Sequence, residues 1–344
     1  MRIISMRNLI YTYTRAMSVM LAVTALMASC ADTERYISPY DDDDDDDDID
    51  TVVVVPTYDE VLSMWELMLP SAGFADVTEV VPTDTLAVDY DDYIENQDFK
   101  ASRTVTITWQ GNDVTIDNTQ ASKGVIVTAQ GAYVTITNLE SEDDADDARG
   151  KVTYCLQGNS DDGQLKIYSQ KKFMLQLNGL QLTCATGPAI NIQRKKRCFI
   201  NCAAGTDNVL QDAATYASDD VPTGEDEKAC LFSEGQLIFC GTGSLTVNGM
   251  HQHGIASDEY IRVHAGCRIS ICSSPKDAIH TKQQYQQTGG LVRAYCVKDA
   301  LQSDSLGIAV TAGYLYLSGT RCLTANGGGA ITVTEPAQVT QVTY

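Results

Sequence analysis

No apolar run in this chain is long enough to cross a bilayer. The best candidate, AMSVMLAVTALMA at residues 16–28, has 13 residues where a spanning helix needs about 20. Basic residues are scarce: 24 Lys and Arg stand against 46 Asp and Glu, for a net charge of −22. General binding to nucleic acid, whose phosphates need a basic footprint, is therefore excluded. Paired cysteine spacing is missing too. None of the ten cysteines after Cys30 falls in a C-x-x-C pair, and there is no H-E-x-x-H, so neither a zinc-finger nor a zincin pattern is present. Several cysteines sit in apolar strand runs such as FCG, ISIC and AYC, where stacked, buried thiols are the simpler reading, although an exported chain could also form disulfides. Helical periodicity is nearly absent after residue 70; the one stretch that carries it is YDEVLSMWELM, Tyr58 to Met68.

The first 29 residues hold Arg2, Arg7 and Arg15, no acid, and the short apolar run, which together fit a signal peptide. Leu26-Met27-Ala28-Ser29-Cys30 resembles the lipobox of bacterial lipoproteins, which predicts lipidation of Cys30 and export to a membrane-anchored site. That site would be the outer membrane, on its periplasmic side or at the cell surface. The stretch 30–57 contains eight consecutive Asp residues, 41 to 48; they repel one another and predict an extended, disordered tether. Residues 58–104 are expected to form an N-terminal cap or lead-in.

From Val105 to the end the chain is built of three- to six-residue runs of alternating apolar and polar residues, such as VTITW, AYVTITN, GSLTVNG and YLYLSG. Gly, Asn or Ser closes most of them, the pattern of short strands. Small–aliphatic pairs recur at Ala189-Ile190, Ala229-Cys230, Gly254-Ile255, Ala278-Ile279, Ala300-Leu301 and Ala330-Ile331. Three consecutive steps of 22 to 25 residues match three short strands and three turns, one coil of a parallel β-helix, and the longer steps match coils with loop insertions. The expected class is thus all-β, with residues 105–344 forming the β-helix. Equivalent residues of successive coils stack about 4.8 Å apart, so His253, Asp277 and Asp299 should form one vertical ladder. Asp258, Lys282 and Asp304 should form a second, five residues on.

The segments GQLKIYSQKKFMLQLNGLQL, GPAINIQRKKR, GTDNVLQD, ACLFSEGQLIFCGTGSLTVNG, HGIASDEYIRV and KDAIHTK resemble a family of exported bacterial carbohydrate-binding proteins, over about Tyr90 to Thr332. The resemblance implies a right-handed parallel β-helix similar to pectate lyases, bound Ca²⁺, and binding of plant-type or acidic pectic polysaccharide without established lyase chemistry. The chain departs from the family's pattern at Asp277-Ala278-Ile279 and Asp299-Ala300-Leu301, where the family tends to Asp-Gly-Ile. Lys228 stands where an acid usually precedes ACLFS, and Gln283 where Asp commonly follows HTK. These departures put at least one cation position in doubt.

Two carboxylates about 5 Å apart repel by about 0.8 kcal/mol in water and about 3 at an effective dielectric of 20. A Ca²⁺ between rungs would relieve this, so Asp277, Asp299 and Asp304, with Asp258 as a weaker member, are the expected metal ligands. The alternative is that these carboxylates bond turn amides or pair with Lys276, Lys282 and Lys298. Four histidines, 251, 253, 264 and 280, fall within thirty residues; their spacing matches no zinc motif, and they are read as turn residues capping the ladder. No acid occurs from Gln164 to Thr206, yet Lys171, Lys172, Arg194, Lys195, Lys196 and Arg197 do. Lys171 and Lys196 are one coil apart, so the two clusters should share an edge able to take an anionic glycan, or merely balance the acids at 218–227. Tyr260 and Tyr285 are candidates for stacking on sugar rings.

The leading functional reading is a tethered, Ca²⁺-containing polysaccharide-binding protein without catalysis. A Ca²⁺-dependent polysaccharide lyase acting by β-elimination is the second, with Lys282 as the base and Lys276, Lys298 and Arg293 nearby. Against it, two carboxylates flanking Lys282 would raise its pKa. A structural or adhesive surface stalk is the third.

Overall fold

The protein is described here from a computed structural model covering residues 2–5, 56–68, 74–140, 149–220 and 224–344. Cys30, most of the expected leader and nearly all of the acidic tether lie outside the described residues. The chain winds into a parallel β-solenoid. Nine strands make one sheet, called the front sheet below: Val125–Gln130, Tyr133–Asn138, Gln164–Ser169, Ile190–Ile192, Ala229–Ser233, His253–Ser257, Ile279–Thr281, Asp299–Ser303 and Arg321–Ala325. A second sheet bends around the other two sides. In its early coils single long strands, Lys151–Ser160 and Phe173–Thr183, run across both sides. From Cys198 on, each coil supplies two separate strands there, and Cys198–Cys202 and Asp207–Gln211 both pair with Phe173–Thr183. From Cys198 on each coil thus has three short strands, as the spacing predicts, while the early coils merge two of them into one long strand.

Alternation dictates which side chains meet. Val134, Leu165, Ile190, Leu231, Ile255, Ile279, Leu301 and Leu323 stand in register up the front sheet, and all but Leu323 are at most 2% exposed. Each fully buried aliphatic side chain contributes about 1.5–3 kcal/mol. A hydroxyl row, Ser233, Ser257, Thr281 and Ser303, follows two residues on. Ser257 and Ser303 donate to turn carbonyls of the preceding coil, Gly235 at 2.9 Å and Gln283 at 2.7 Å, which fixes where each strand ends. Some corners admit only glycine. At Gly241 (φ +89°) a Cβ would lie 2.2 Å from the Cys202 carbonyl oxygen, and at Gly307 (φ +92°) 2.1 Å from that of Ala330.

Two details of the expected register are corrected. Leu231, not Cys230, stacks on Ile255, because the 40-residue step carries one residue more than a plain insertion; Cys230 takes the small slot beside Gly254. Ala330-Ile331 lies on another side, paired with Gly307-Ile308, and Cys322-Leu323 follows Ala300-Leu301 on the front sheet after only 22 residues. The ten described cysteines are all free thiols.

The solenoid's first end is closed by antiparallel hairpins, Phe99–Gln110 with Asp113–Asn118 and Val125–Gln130 with Tyr133–Asn138. At the other end Arg2–Ser5 pairs in parallel with Gln338–Thr343. Residues 56–68 and 74–98 do not cap an end. They run along one flank, from the last coils back to the first. Helix α1 (Tyr58–Met68), where the sequence predicts it, begins in a capping box: Thr57 N–H donates to Glu60 Oε2 at 2.8 Å and Glu60 N–H to Thr57 Oγ1 at 3.4 Å. Its Val61 and Trp65 pack on Leu291, Tyr314, Tyr316 and Val342. Farther on, Ile94 and Phe99 pack on Met174, Phe199 and Ile238. Among the described residues no helix is long and apolar enough to cross a membrane.

Candidate functional site

Once-per-coil recurrence brings the ladder residues together. Ala229 pairs with His253 and Asp299 with Arg321; Asp277 lies between, two residues before Ile279 in the same register. The vertical row therefore reads His253, Asp277, Asp299, Arg321. The Asp299 carboxylate, 1% exposed, is held at both oxygens by Arg321, Nε to Oδ1 at 2.6 Å and Nη2 to Oδ2 at 2.8 Å. Asp277 is engaged on the opposite side. Its Oδ2 lies 3.2 Å from His253 Nδ1 and 2.9 Å from His280 Nδ1, and its Oδ1 accepts the Asp299 backbone N–H at 3.3 Å. His280 reaches on through Nε2 to Asp304 Oδ2 at 3.1 Å.

The protonation of these groups follows from that geometry. Burial by itself would raise the Asp277 pKa, but the hydrogen bonds and charges of His253 and His280 outweigh it and hold the carboxyl well below the usual range. Burial lowers the pKa of His253, Asp277 only partly opposing it. For His280 the same burial is overcome by Asp277 and Asp304, which raise it. The like-charge repulsion expected between rungs is thus relieved by protein groups.

Five residues past the ladder the second row is present: Asp258, Lys282, Asp304 and Asn326, each amide bonded to the coil before. Asp258 binds Lys282 Nζ at 2.7 Å and Lys228 Nζ at 3.6 Å. Between the rows His280, Gln302 and Thr324 are in register. The outer face of the last coils is accordingly a grid of polar groups repeating at every rung.

Asp277, Asp299, Asp304 and Asp258 do not converge into an oxygen cage. Among the described residues, the one set of three or more His, Cys, Asp or Glu ligand atoms within 4.8 Å of one another is His253, Asp277 and His280. Ca²⁺ takes six to eight oxygens. A set with two imidazoles and one carboxylate does not fit it. Of the other histidines, His251 stacks on Tyr216 at 4.0 Å, and His264 bonds Glu79 Oε2 at 3.0 Å and the Asp92 carbonyl at 3.0 Å.

The basic clusters do share an edge, with Phe173 paired to Cys198 and hence Lys172 beside Arg197. The charges of Lys172 and Arg197 are met from within the molecule. The flanking segment lays Asp91 on Lys172 at 2.7 Å, Asp92 on Arg197 Nε at 3.0 Å, and Asp89 and Asp92 on Arg262 at 3.0 and 3.1 Å. Tyr260 donates to Asp92 at 2.5 Å and accepts from Arg197 at 2.8 Å. Lys166 pairs with Glu225 at 2.7 Å and Glu227 at 3.4 Å in the acidic insertion. Two expected ligand contacts are corrected. Tyr285 is wholly buried, in an inward row with Ile261 and Ile308, and Lys171 is wholly buried as well. Neither can meet a polymer. Lys196 and Arg197 are half-buried, while Arg194 and Lys195 are exposed, Arg194 lying over the Tyr168 ring at 5.9 Å.

The lysines of the lyase reading are near one another in part. Lys298 N–H bonds the Lys276 carbonyl one coil below, and Lys276 Nζ lies 3.1 Å from Gln252 Oε1. Arg293 is corrected out of this group: it pairs with Ser270 and Tyr316 on the flank covered by α1. Arg321 is missed by sequence reasoning, and His280, read there only as a turn residue capping the ladder, lies on a strand between Asp277 and Asp304. The signal was available, since Arg321 stands 22 residues after Asp299 and His280 lies three after Asp277 on an outward strand position.

A family model of carbohydrate-binding domain-containing proteins matches residues 130–343, and the chain belongs to that family. A relative from Acetivibrio thermocellus, named a carbohydrate-binding domain-containing protein, is 32% identical over 115 residues, 33% of this chain and 40% of the relative. The chain thus spans about 40% of the length of that curated relative. A solved structure titled a polysaccharide lyase-like protein from C. thermocellum, gadolinium derivative, superposes with a TM-score of 0.56 at 19% identity, covering 69% of this chain and 99% of the other. At that identity it speaks for the fold alone, a parallel β-solenoid.

Proposed function

We propose that this protein binds polysaccharide without cleaving it, laying the polymer along the outer face of the front sheet over its last coils. The observation that carries the reading is the rung-by-rung repetition of polar groups there: His280, Gln302 and Thr324 in one row and Asp258, Lys282, Asp304 and Asn326 beside it. A polymer meets a periodic surface with a periodic set of bonds, and many weak contacts add along its length. Arg321 and Lys282, with 66% and 46% of their side chains exposed, would pair with carboxylates of an acidic, pectin-like glycan. The chain is exported and held through Cys30 and the acidic stretch 30–57, which would leave the face free of the membrane.

Membership in a carbohydrate-binding family supports this reading. The lyase alternative needs a neutral base, and Asp258 holds the Lys282 ammonium charged: burial lowers its pKa, but the ion pair outweighs this and raises it. Ca²⁺, if it takes part, would be held by the glycan's own carboxylates with Asp258 or Asp304, since the donors around Asp277 do not suit it. Co-sedimentation with polygalacturonate and neutral polysaccharides, with and without Ca²⁺, tests the reading. Retention is expected to fall about tenfold in the Arg321→Ala/Gln302→Ala variant, the loss of one or two charge-assisted bonds. Retention on no glycan would favour the stalk, and an unsaturated uronate product would establish the lyase.

A further inference from the structure

Asp277 faces two imidazoles at one oxygen, and the contacts there do not balance as drawn without a cation. His253 Nδ1 lies 3.3 Å from the Asp277 backbone nitrogen, a donor, and 3.2 Å from Asp277 Oδ2, an acceptor. A protonated Nδ1 serves only the carboxylate and leaves the amide without an acceptor; an unprotonated one serves only the amide and faces Oδ2 as a second acceptor. His253 is 9% and Asp277 5% exposed, so water screens this pair little. Two buried acceptors in contact repel unless a proton or a metal ion lies between them.

We infer that His253, Asp277 and His280 form a binding site for a divalent ion of borderline softness, Zn²⁺ above all. Zn²⁺ takes imidazole nitrogen and carboxylate oxygen at about 2.0–2.2 Å in a tetrahedron, whose edges are about 3.3 Å. The nitrogen–oxygen separations of 3.2 and 2.9 Å are close to such edges, and all three ligand atoms lie within 4.8 Å of one another. The supporting groups point the same way. His280 Nε2 faces Asp304 Oδ2 at 3.1 Å, the carboxylate–histidine arrangement that directs the other ring nitrogen to a metal. Asp277 Oδ1 is occupied by the Asp299 amide, leaving Oδ2 as the ligand. Arg321 neutralises Asp299, so the next rung does not add a competing anion. Metal entry displaces the Nδ1 proton of His280 to solvent and takes the His253 Nδ1 lone pair from the Asp277 N–H, and three protein ligands leave a fourth position for water. The inference does not depend on glycan binding.

Calorimetric titration of the metal-stripped full-length chain with ZnCl₂ and, separately, CaCl₂ tests it, with Co²⁺ absorption reporting coordination. The expected result is one Zn²⁺ per chain, a four-coordinate Co²⁺ spectrum, and no Ca²⁺ uptake abolished by His253→Ala. His280→Gln and His253→Ala should each remove that uptake, and Asp304→Asn should weaken it about tenfold or more. Circular dichroism checks each variant; should one misfold, the Co²⁺ spectrum of the unaltered chain still decides between imidazole coordination and none. No Zn²⁺ uptake, or uptake that survives both histidine substitutions, would overturn the assignment and leave His280 as an imidazolium bridging Asp277 and Asp304.

Discussion

A side chain's meaning here depends on the rung it occupies. Asp277, Asp299 and Asp212 are all buried, but their surroundings differ. Asp277 has two imidazoles and Asp299 a guanidinium, whereas Asp212, at the root of the acidic insertion, has only the Tyr216 hydroxyl at 2.5 Å and the Met250 amide at 2.6 Å. Burial pushes the Asp212 carboxyl up to about 6, with Tyr216, the Met250 amide and His251 opposing it only in part and Cys230 buried nearby. A raised pKa means that the folded state binds the proton more tightly than the unfolded one. Stability from this group is therefore full below about pH 4 and declines as pH rises to about 6, by about 3 kcal/mol. Asp212→Asn imitates the protonated form, so the variant should lack that decline. Denaturant melts at pH 4 and pH 7 measure it, and equal slopes for both proteins would refute it. The vertical ladder was legible at this scale, because a 22-residue spacing needs only counting. Tyr285 was misread because its role depends on parity: one position either way along the strand and its ring would face solvent.

Among the elements, the flanking stretch of residues 56–68 and 74–98 departs most from expectation. Its helix could be read from the helical periodicity of Tyr58 to Met68, but its course could not. Trp65 is wholly buried and lies 6.2 Å from Tyr316 and 6.4 Å from Tyr58. It anchors α1 to a sheet flank that would otherwise expose Tyr314 and Tyr316. Trp65→Ala removes that anchor at a cost of about 3–5 kcal/mol. Amide hydrogen exchange should then quicken across Tyr58–Met68 and hardly change in the coil of Asp277; protection retained in the helix would show that the acidic contacts at Asp89, Asp91 and Asp92 hold the segment without it. Those contacts also explain why Lys172, Arg197 and Arg262, on the basic edge of an acidic chain, are already paired within the molecule. The partner for Lys172, Arg197 and Arg262 is the chain's own earlier sequence, some eighty to one hundred and seventy residues away. No local pattern reports a pairing at that distance.

The solenoid is a stack in which each coil touches its neighbours and, on one flank, the stretch of residues 56–68 and 74–98. Stability should therefore be lost in patches. Ile255→Ala opens a cavity in the middle of the aliphatic row, at about 2–5 kcal/mol. Hydrogen exchange should rise in the coils carrying Ala229–Ser233, His253–Ser257 and Ile279–Thr281, while the hairpin end at Phe99–Asn138 keeps its protection. A uniform loss along the chain would mean that the solenoid unfolds as one cooperative unit.

The sequence by itself determined the solenoid, the coil length, the helix at Tyr58–Met68 and the vertical placement of His253, Asp277 and Asp299, because period-2 alternation and a once-per-coil repeat are properties of order along the chain. Only the tertiary structure decided that Arg321 neutralises Asp299, that His280 joins His253 beside Asp277, and that Asp89, Asp91 and Asp92 lie on the basic edge. Those outcomes rest on which way side chains face and how far apart charges finish, and both are set by packing in three dimensions.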